Sequence, residues 1–169
     1  LISVDFEFYV RLANNDFNDY VVTMFEINPN ITDTPLPISF VFDTGAAYTM
    51  LNKTLAESRG WEIFYSGLEF GSYVKGGHPL VCDLRKIPRL AFGVRQIEDL
   101  VVATPQDEKD EVSNLLGRSF TDNFHFGVNQ DTNRVYFKKR NITINPSYSF
   151  SSIAHMHQSG GLTPSTRSQ

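Results

Sequence analysis

Asp43, Thr44 and Gly45 are the residues of this sequence whose types and order could do chemistry. The run Ile38-Ser39-Phe40-Val41-Phe42 leads into them, and its β-branched and aromatic content reads as a buried strand. An acid placed where a core strand meets a turn loses water on one side. Its proton affinity then answers to its neighbours, which is the condition acid–base catalysis needs. Gly45 lets the backbone pass close to another segment or a ligand with no Cβ in the way. A plain Asp-initiated turn would explain the same three residues without chemistry. The apolar strand before them, and Ala46-Ala47 and a short helical stretch after them, favour catalysis.

Other candidates are poorer. Asp131-Thr132-Asn133 repeats the acid and the hydroxyl but has Asn in place of Gly, follows no apolar strand and reads as a hairpin turn. His155-Met156-His157 offers two ligand-type side chains with no acid near them, and His78 and His125 are scattered. No metal set and no Ser-His-Asp arrangement is legible, so neither metal nor cofactor is expected. Cys82 stands alone, which excludes an internal disulfide framework and a cysteine zinc site, and it reads as a small buried residue.

The elements that must position Asp43 come from a chain long enough, at 169 residues, for one domain with a real core. Fourteen Phe and seven Tyr favour strands over helices. A net charge of −4 without a long basic block excludes the electrostatic footprint of a nucleic-acid binder. No apolar run reaches the roughly 18 residues a spanning helix needs, and no membrane partner is expected. Asn30, Asn52 and Asn141 open acceptor sequons that matter only for a secreted chain. The chain opens at Leu1 with no leader-like segment, as a processed piece of something longer would; with the lone cysteine this leans to an intracellular, cytoplasmic compartment.

Residues 2–12 alternate as a strand, with Val4, Phe6, Phe8 and Val10 on one face, and are expected to form a hairpin with Tyr20 to Ile27. Asn52 caps a predicted helix of Lys53 to Arg59 that Gly60 ends. Trp61 to Val74 is extended and punctuated by glycines, and Pro79 to Leu84 returns from a hairpin tip at Lys75-Gly76-Gly77-His78. Ile87 to Phe92 and Ile97 to Ala103 form a further strand pair around Gly93, and Thr104 to Glu111 reads as a solvated loop. One or two helical turns over Arg118 to Asn123 precede a last hairpin, Phe124 to Val128 with Arg134 to Phe137. From Asn141 to Gln169 the chain is rich in Ser and Thr and has no acid, the composition of a flexible extension.

Phe42-Asp43-Thr44-Gly45-Ala46, followed about 70 residues later by Leu115-Leu116-Gly117-Arg118, resembles the retroviral-type (retropepsin-like) aspartic proteases. The Gly-rich hairpin between them stands where that family has its flap, and the helix and hairpin after them match its cellular and bacterial members. The resemblance covers residues 1–140, with 141–169 as the extension. It implies an all-β acid-protease barrel with one or two short helices, active as a symmetric dimer on polypeptide substrates. Two carboxylates about 3 Å apart cannot both ionise, so one keeps its proton while the other takes one from a shared water that attacks the peptide carbonyl. With no second intact motif in the chain, a second copy must bring the second acid.

The resemblance also assigns roles. Asp43 is the catalytic acid, Thr44 reaches across the dyad to the other subunit's backbone, and Gly45 lies along the substrate. Ala46 replaces the Ser or Thr of pepsin-like relatives, which implies activity in mildly acidic to neutral buffer. Leu115, Leu116 and Gly117 pack behind the active-site loop. Tyr73, Gly76 and Gly77 belong to the substrate-binding flap. Arg118 matches the family's arginine, but Ala47 stands where many viral members carry its acidic partner. The reading is an aspartic endopeptidase; the alternative is a non-catalytic dimerisation or peptide-binding module on the same fold.

Overall fold

Alternation of apolar and polar side chains folds as strands in the computed structural model, which describes residues 5–27, 35–71, 79–110 and 112–141. The first half contains β1 (Phe8–Arg11), β2 (Ala13–Asn14), β3 (Tyr20–Glu26), β4 (Leu36–Phe42), α1 (Lys53–Arg59) and β5 (Ile63–Phe70). The second contains β6 (Leu80–Phe92), β7 (Arg95–Pro105), β8 (Leu115–Leu116), α2 (Arg118–Thr121), β9 (Phe124–Asn129) and β10 (Arg134–Lys139). The expected all-β architecture with two short helices is present. Neither described helix is long and apolar enough to cross a membrane.

One sheet runs in the order β5-β6-β3-β4-β8, with β2 on β3 and β7 on β6; a second has the order β1-β10-β9. Val22 and Met24 of β3 and Ile38 and Phe40 of β4 are fully or almost fully buried between the sheets. The residues between them face outward, and the hydroxyls of Thr23 and Ser39 meet at 3.1 Å. Each such period-two pattern fixes the register, because a one-residue slip would turn the apolar set into water.

The expected hairpin of residues 2–12 with Tyr20–Ile27 does not form. β3 takes the short β2 as its near neighbour (Ala13↔Val21), while β1 crosses to β10 with Phe8↔Phe137 and Val10↔Val135. Phe8 stacks on Phe137 at 5.3 Å and meets the rings of Phe92 and Phe124 edge-on. A local turn offers Phe8 no comparable apolar burial, so the long-range partner wins. Residues 1–4 of that predicted strand lie outside the described residues.

Two further expectations are corrected by length. The returning hairpin arm and Ile87–Phe92 are one continuous strand, β6, which pairs with β5 over its first half, with β3 at Leu90 and Ala91, and with β7 from Cys82 to Phe92. Its ladder with β7 steps over Pro88, which has no N–H to give. The loop expected from Thr104 starts later, because β7 runs on to Pro105 and Thr104 is buried. There Thr104 Oγ1 accepts from Nε of the buried Arg85 at 3.2 Å, while Arg85 Nη1 donates to the Trp61 carbonyl at 3.0 Å.

Helix α1 is where the sequence places it. Asn52 Oδ1 accepts from Thr54 N at 2.8 Å, and Gly60 closes the helix in the left-handed region at φ 65°. The helix is tied to β3 by the buried Glu26, which accepts from Arg59 Nη2 and, at 2.7 Å, from Trp61 Nε1. Cys82 is fully buried; burial first, then the charges of Asp83 and Asp110, push its thiol up to about 12. Asp131, Thr132 and Asn133 form the exposed β9–β10 turn, folded by Asn129 Oδ1 on Asp131 N at 3.0 Å. The extension from residue 142 onward lies outside the described residues.

Candidate active site

Strand β4 delivers Asp43 to the edge of the core, and β8 holds it there. The two pair in parallel, Val41↔Leu115 and Phe42↔Leu116, and Asp43 N donates to the Leu116 carbonyl at 3.1 Å. Leu115 takes Met50 on its other side, with Met50 N to Leu115 O at 2.9 Å and Leu115 N to Met50 O at 3.0 Å. Residues 43–49 therefore form a loop straddling β8, anchored at both feet.

The chain beyond β8 passes under that loop and bonds to it directly. Arg118 N donates to Ala46 O at 2.8 Å and Ser119 N to Ala47 O at 3.0 Å. Gly117 makes this approach possible, since a Cβ there would lie 2.3 Å from Tyr48 O and 2.9 Å from Ala46 O. A small buried hydroxyl network completes the contact. Gly117 N donates to Thr49 Oγ1 at 3.2 Å, and Thr49 N donates to Ser119 Oγ at 3.0 Å. Asn114 spans the two feet, accepting from Asn52 N at 2.9 Å and donating to Ser39 O at 3.3 Å.

Thr49, Asn114 and Ser119 position the loop, and sequence reasoning missed all three. Thr49 and Ser119 are hydroxyl residues about 70 positions apart, with nothing local to mark them as partners. The only available hint was that each flanks a recognised motif.

At the loop's tip Asp43 is part-exposed, Thr44 and Gly45 are exposed, and Ala46 and Ala47 are buried. Asp43 Oδ1 accepts from Gly45 N at 3.0 Å, which fixes one carboxylate oxygen, and no described residue donates to Oδ2. A Cβ on Gly45 would sit 3.3 Å from Oδ1 and press on that arrangement. The structure thus brings Asp43, Thr44, Gly45 and Ala46 together with Leu115, Leu116, Gly117 and Arg118. Among the described residues Arg118 pairs with no carboxylate, and its buried Nε meets no acceptor. No group of three metal-ligating side chains occurs among the described residues.

The β5–β6 hairpin stands beside the loop. Its last described pair is Phe70↔Leu80, and Phe70 packs edge-on against Tyr48 with ring centres 5.2 Å apart. Tyr73, Gly76 and Gly77 lie outside the described residues. Gly67, at φ 83°, accompanies the register shift between Tyr65 and Leu68 that kinks β5.

Asp83 locks the hairpin's base. Its Oδ1 accepts from Ser66 Oγ and Gln106 Nε2, each at 2.7 Å, and Lys53 Nζ reaches the Gln106 carbonyl at 2.6 Å. Burial alone would raise the Asp83 pKa; the hydrogen bonds from Gln106, Ser66 and Gly67, with the charge of Arg85, outweigh it and hold the carboxyl below its ordinary value. Such a group stabilises the fold at neutral pH, and its contribution is lost as pH falls below the ordinary 3.8 and through the folded value. Asp83→Asn should therefore lower Tm by about 1–3 °C at pH 7 and by less at a pH below 3.8, a difference that calorimetry at the two pH values would read. An equal Tm loss at both would contradict it.

A groove of about 760 Å³ between β1 and the outer face of β3 takes no residue from the Asp43 loop or the hairpin. The sequence matches a family profile described as aspartyl protease over residues 27–120, more than half of the 169 residues, a span that includes the Asp43 loop, the hairpin and Leu115–Arg118. No curated protein matches it. Among solved structures the fold is similar to the crystal structure of a retropepsin-like aspartic protease from Rickettsia conorii. The TM-score is 0.52 at 17% identity, over 81% of this chain and 96% of that one. At that identity the likeness is one of fold.

Proposed function

From the premise that this chain belongs to the aspartyl protease family, with a retropepsin-like fold, we propose that it is an endopeptidase whose site is completed by a second copy of itself. The observation that carries this reading is Asp43, one carboxylate oxygen fixed by Gly45 N and the other without a donor among the described residues, on a loop pinned at both feet and from beneath. Across a twofold axis two such acids hold one proton between them and share one water. The ionised partner takes a proton from the water as it attacks the peptide carbonyl, and the protonated partner donates to the developing oxyanion.

Self-association is supported by what surrounds Asp43. The chain has one complete Asp-Thr-Gly motif, and Asp131-Thr132-Asn133 lies in an exposed turn. Strand β9 ends its sheet among the described residues, with Phe126 and Val128 more than a third exposed. Phe126 packs edge-on against Phe42, the residue before Asp43, at 5.4 Å. An unpaired edge carrying apolar side chains next to the acid suits contact with a second copy. Substrate would lie extended between the Asp43 loop and the β5–β6 hairpin, held by main-chain bonds in the manner of an added strand. Residues 1–140 make the protease domain in this reading, and 141–169 an appended extension.

The test is cleavage of a random peptide library, with and without a statine-type inhibitor, alongside molecular mass in solution. Inhibitable cleavage by a dimer supports the reading; cleavage by a monomer, or none at all, sinks it.

Ala46 sets the pH range. It is fully buried beside the acid and brings no hydroxyl to the ionised carboxylate. Ala46→Ser should move the whole pH–activity profile of the dimer toward acid, by about one pH unit, because an added donor favours the charged form. A profile that stays in place would refute this role.

A further inference from the structure

Phe17, 86% exposed, is the most exposed large apolar side chain among the described residues, and the fold ties its place to Asp43. The ladder of β3 with β4 ends at Val21↔Val41, two residues after Asp19 on one strand and two before Asp43 on the other. The turn of residues 15–19 therefore leaves the sheet at the end that carries the acid. It is an ordered turn. Asn15 Oδ1 accepts from the N–H groups of Phe17 and Asp19, both at 2.9 Å. Asn15 N donates to Asp19 O at 3.1 Å, and Asn18 N to Asn15 O at 3.0 Å.

Asp16 and Asp19 flank the exposed ring, and neither pairs with a cation among the described residues. Arg118 has the opposite need. Its backbone N is anchored to Ala46 O three residues past Asp43, and its half-buried side chain finds no carboxylate among the described residues.

We propose that this turn docks on a second copy of the chain, with Phe17 covering apolar surface beside the partner's site and Asp16 and Asp19 pairing with the partner subunit's Arg118. The contact rests on the twofold pairing of Asp43 proposed above and occurs twice in a symmetric dimer. Opposite charges at its rim fix orientation, while the buried ring supplies apolar contact. Since Arg118 holds the loop that carries Asp43, assembly itself would steady the catalytic loop.

Sedimentation of wild type, Phe17→Ser, the double variant Asp16→Lys/Asp19→Lys and Arg118→Glu tests this. Each variant should weaken self-association by about tenfold or more with an unchanged circular dichroism spectrum. Mixing the double Lys variant with Arg118→Glu should restore association, because every charged contact in the mixed dimer then joins opposite signs. As a check independent of the folding of these variants, a photoreactive phenylalanine analogue at position 17 should cross-link two chains near residue 118. A wild-type dimer indifferent to all three changes, a mixture no tighter than its components, or cross-links only within one chain would overturn the docking and leave the Asp43 pairing standing. The same holds if Phe17→Ser raises KM for a peptide without weakening the dimer, which places the ring on substrate. A wild type monomeric at every concentration overturns the pairing and this contact with it.

Discussion

Asp43→Asn should abolish peptide cleavage, by about a thousandfold or more, and leave both fold and self-association as they are. The replacement has the same shape, and its amide oxygen can still accept from Gly45 N, which Asp43 Oδ1 does at 3.0 Å. The backbone bonds that seat the loop, Asp43 N to Leu116 O and Ala46 N to Asp43 O, do not involve the side chain. What the amide cannot do is carry the shared proton or take one from water. Initial rates on a peptide library, with Tm and molecular mass measured on the same samples, separate the outcomes. A variant within tenfold of the wild-type rate would place the chemistry elsewhere, and a wild type that cleaves nothing would favour the peptide-binding or dimerisation module.

Gly117→Ala is expected to be the most damaging single methyl group in the molecule. Its Cβ would meet Tyr48 O at 2.3 Å, Tyr48 C at 2.6 Å and Ala46 O at 2.9 Å, all backbone atoms. A side chain could swing aside, but this backbone is held by Arg118 N on Ala46 O and by Met50 on Leu115. Relief would require parting the loop from α2 and losing the Thr49–Ser119 network. A cost of about 3 kcal/mol or more is expected, a large share of the roughly 5–15 kcal/mol that holds a domain of this size together. Urea unfolding measures it, with Gly45→Ala as comparator. That change meets only Asp43 Oδ1, at 3.3 Å, and should lower activity with little loss of stability. Equal destabilisation by the two would show that the close approach at Gly117 is not what the fold depends on.

Features coded within a few residues were legible in the sequence. Helix α1 was, because its cap and its terminating glycine lie in the same short stretch as the helix. The strand into Asp43 and the β9–β10 turn were legible for the same reason. Partnerships across the chain were not. The choice of β10 over β3 by β1 is decided by the aromatic set of Phe8, Phe92, Phe124 and Phe137, and no local pattern announces that four distant rings will meet. The continuity of β6 was hidden by Arg85 and Lys86, two adjacent charges that read as a break between arms, although both pair with β7 and Arg85 is buried. Within the site, Asp43 and Gly117 were found through their motifs, whereas Thr49, Asn114 and Ser119 act through single hydrogen bonds to distant backbone and have no motif.

The closed-off sulfur of Cys82 has a practical consequence. As the sole cysteine of the chain, with its proton retained up to about pH 12, it should stay inert toward maleimides and iodoacetamide while the protein is folded. Any cysteine engineered onto the surface would then be the one thiol that dyes and spin labels find, so the proposed self-association could be followed by label distances without first removing the native residue.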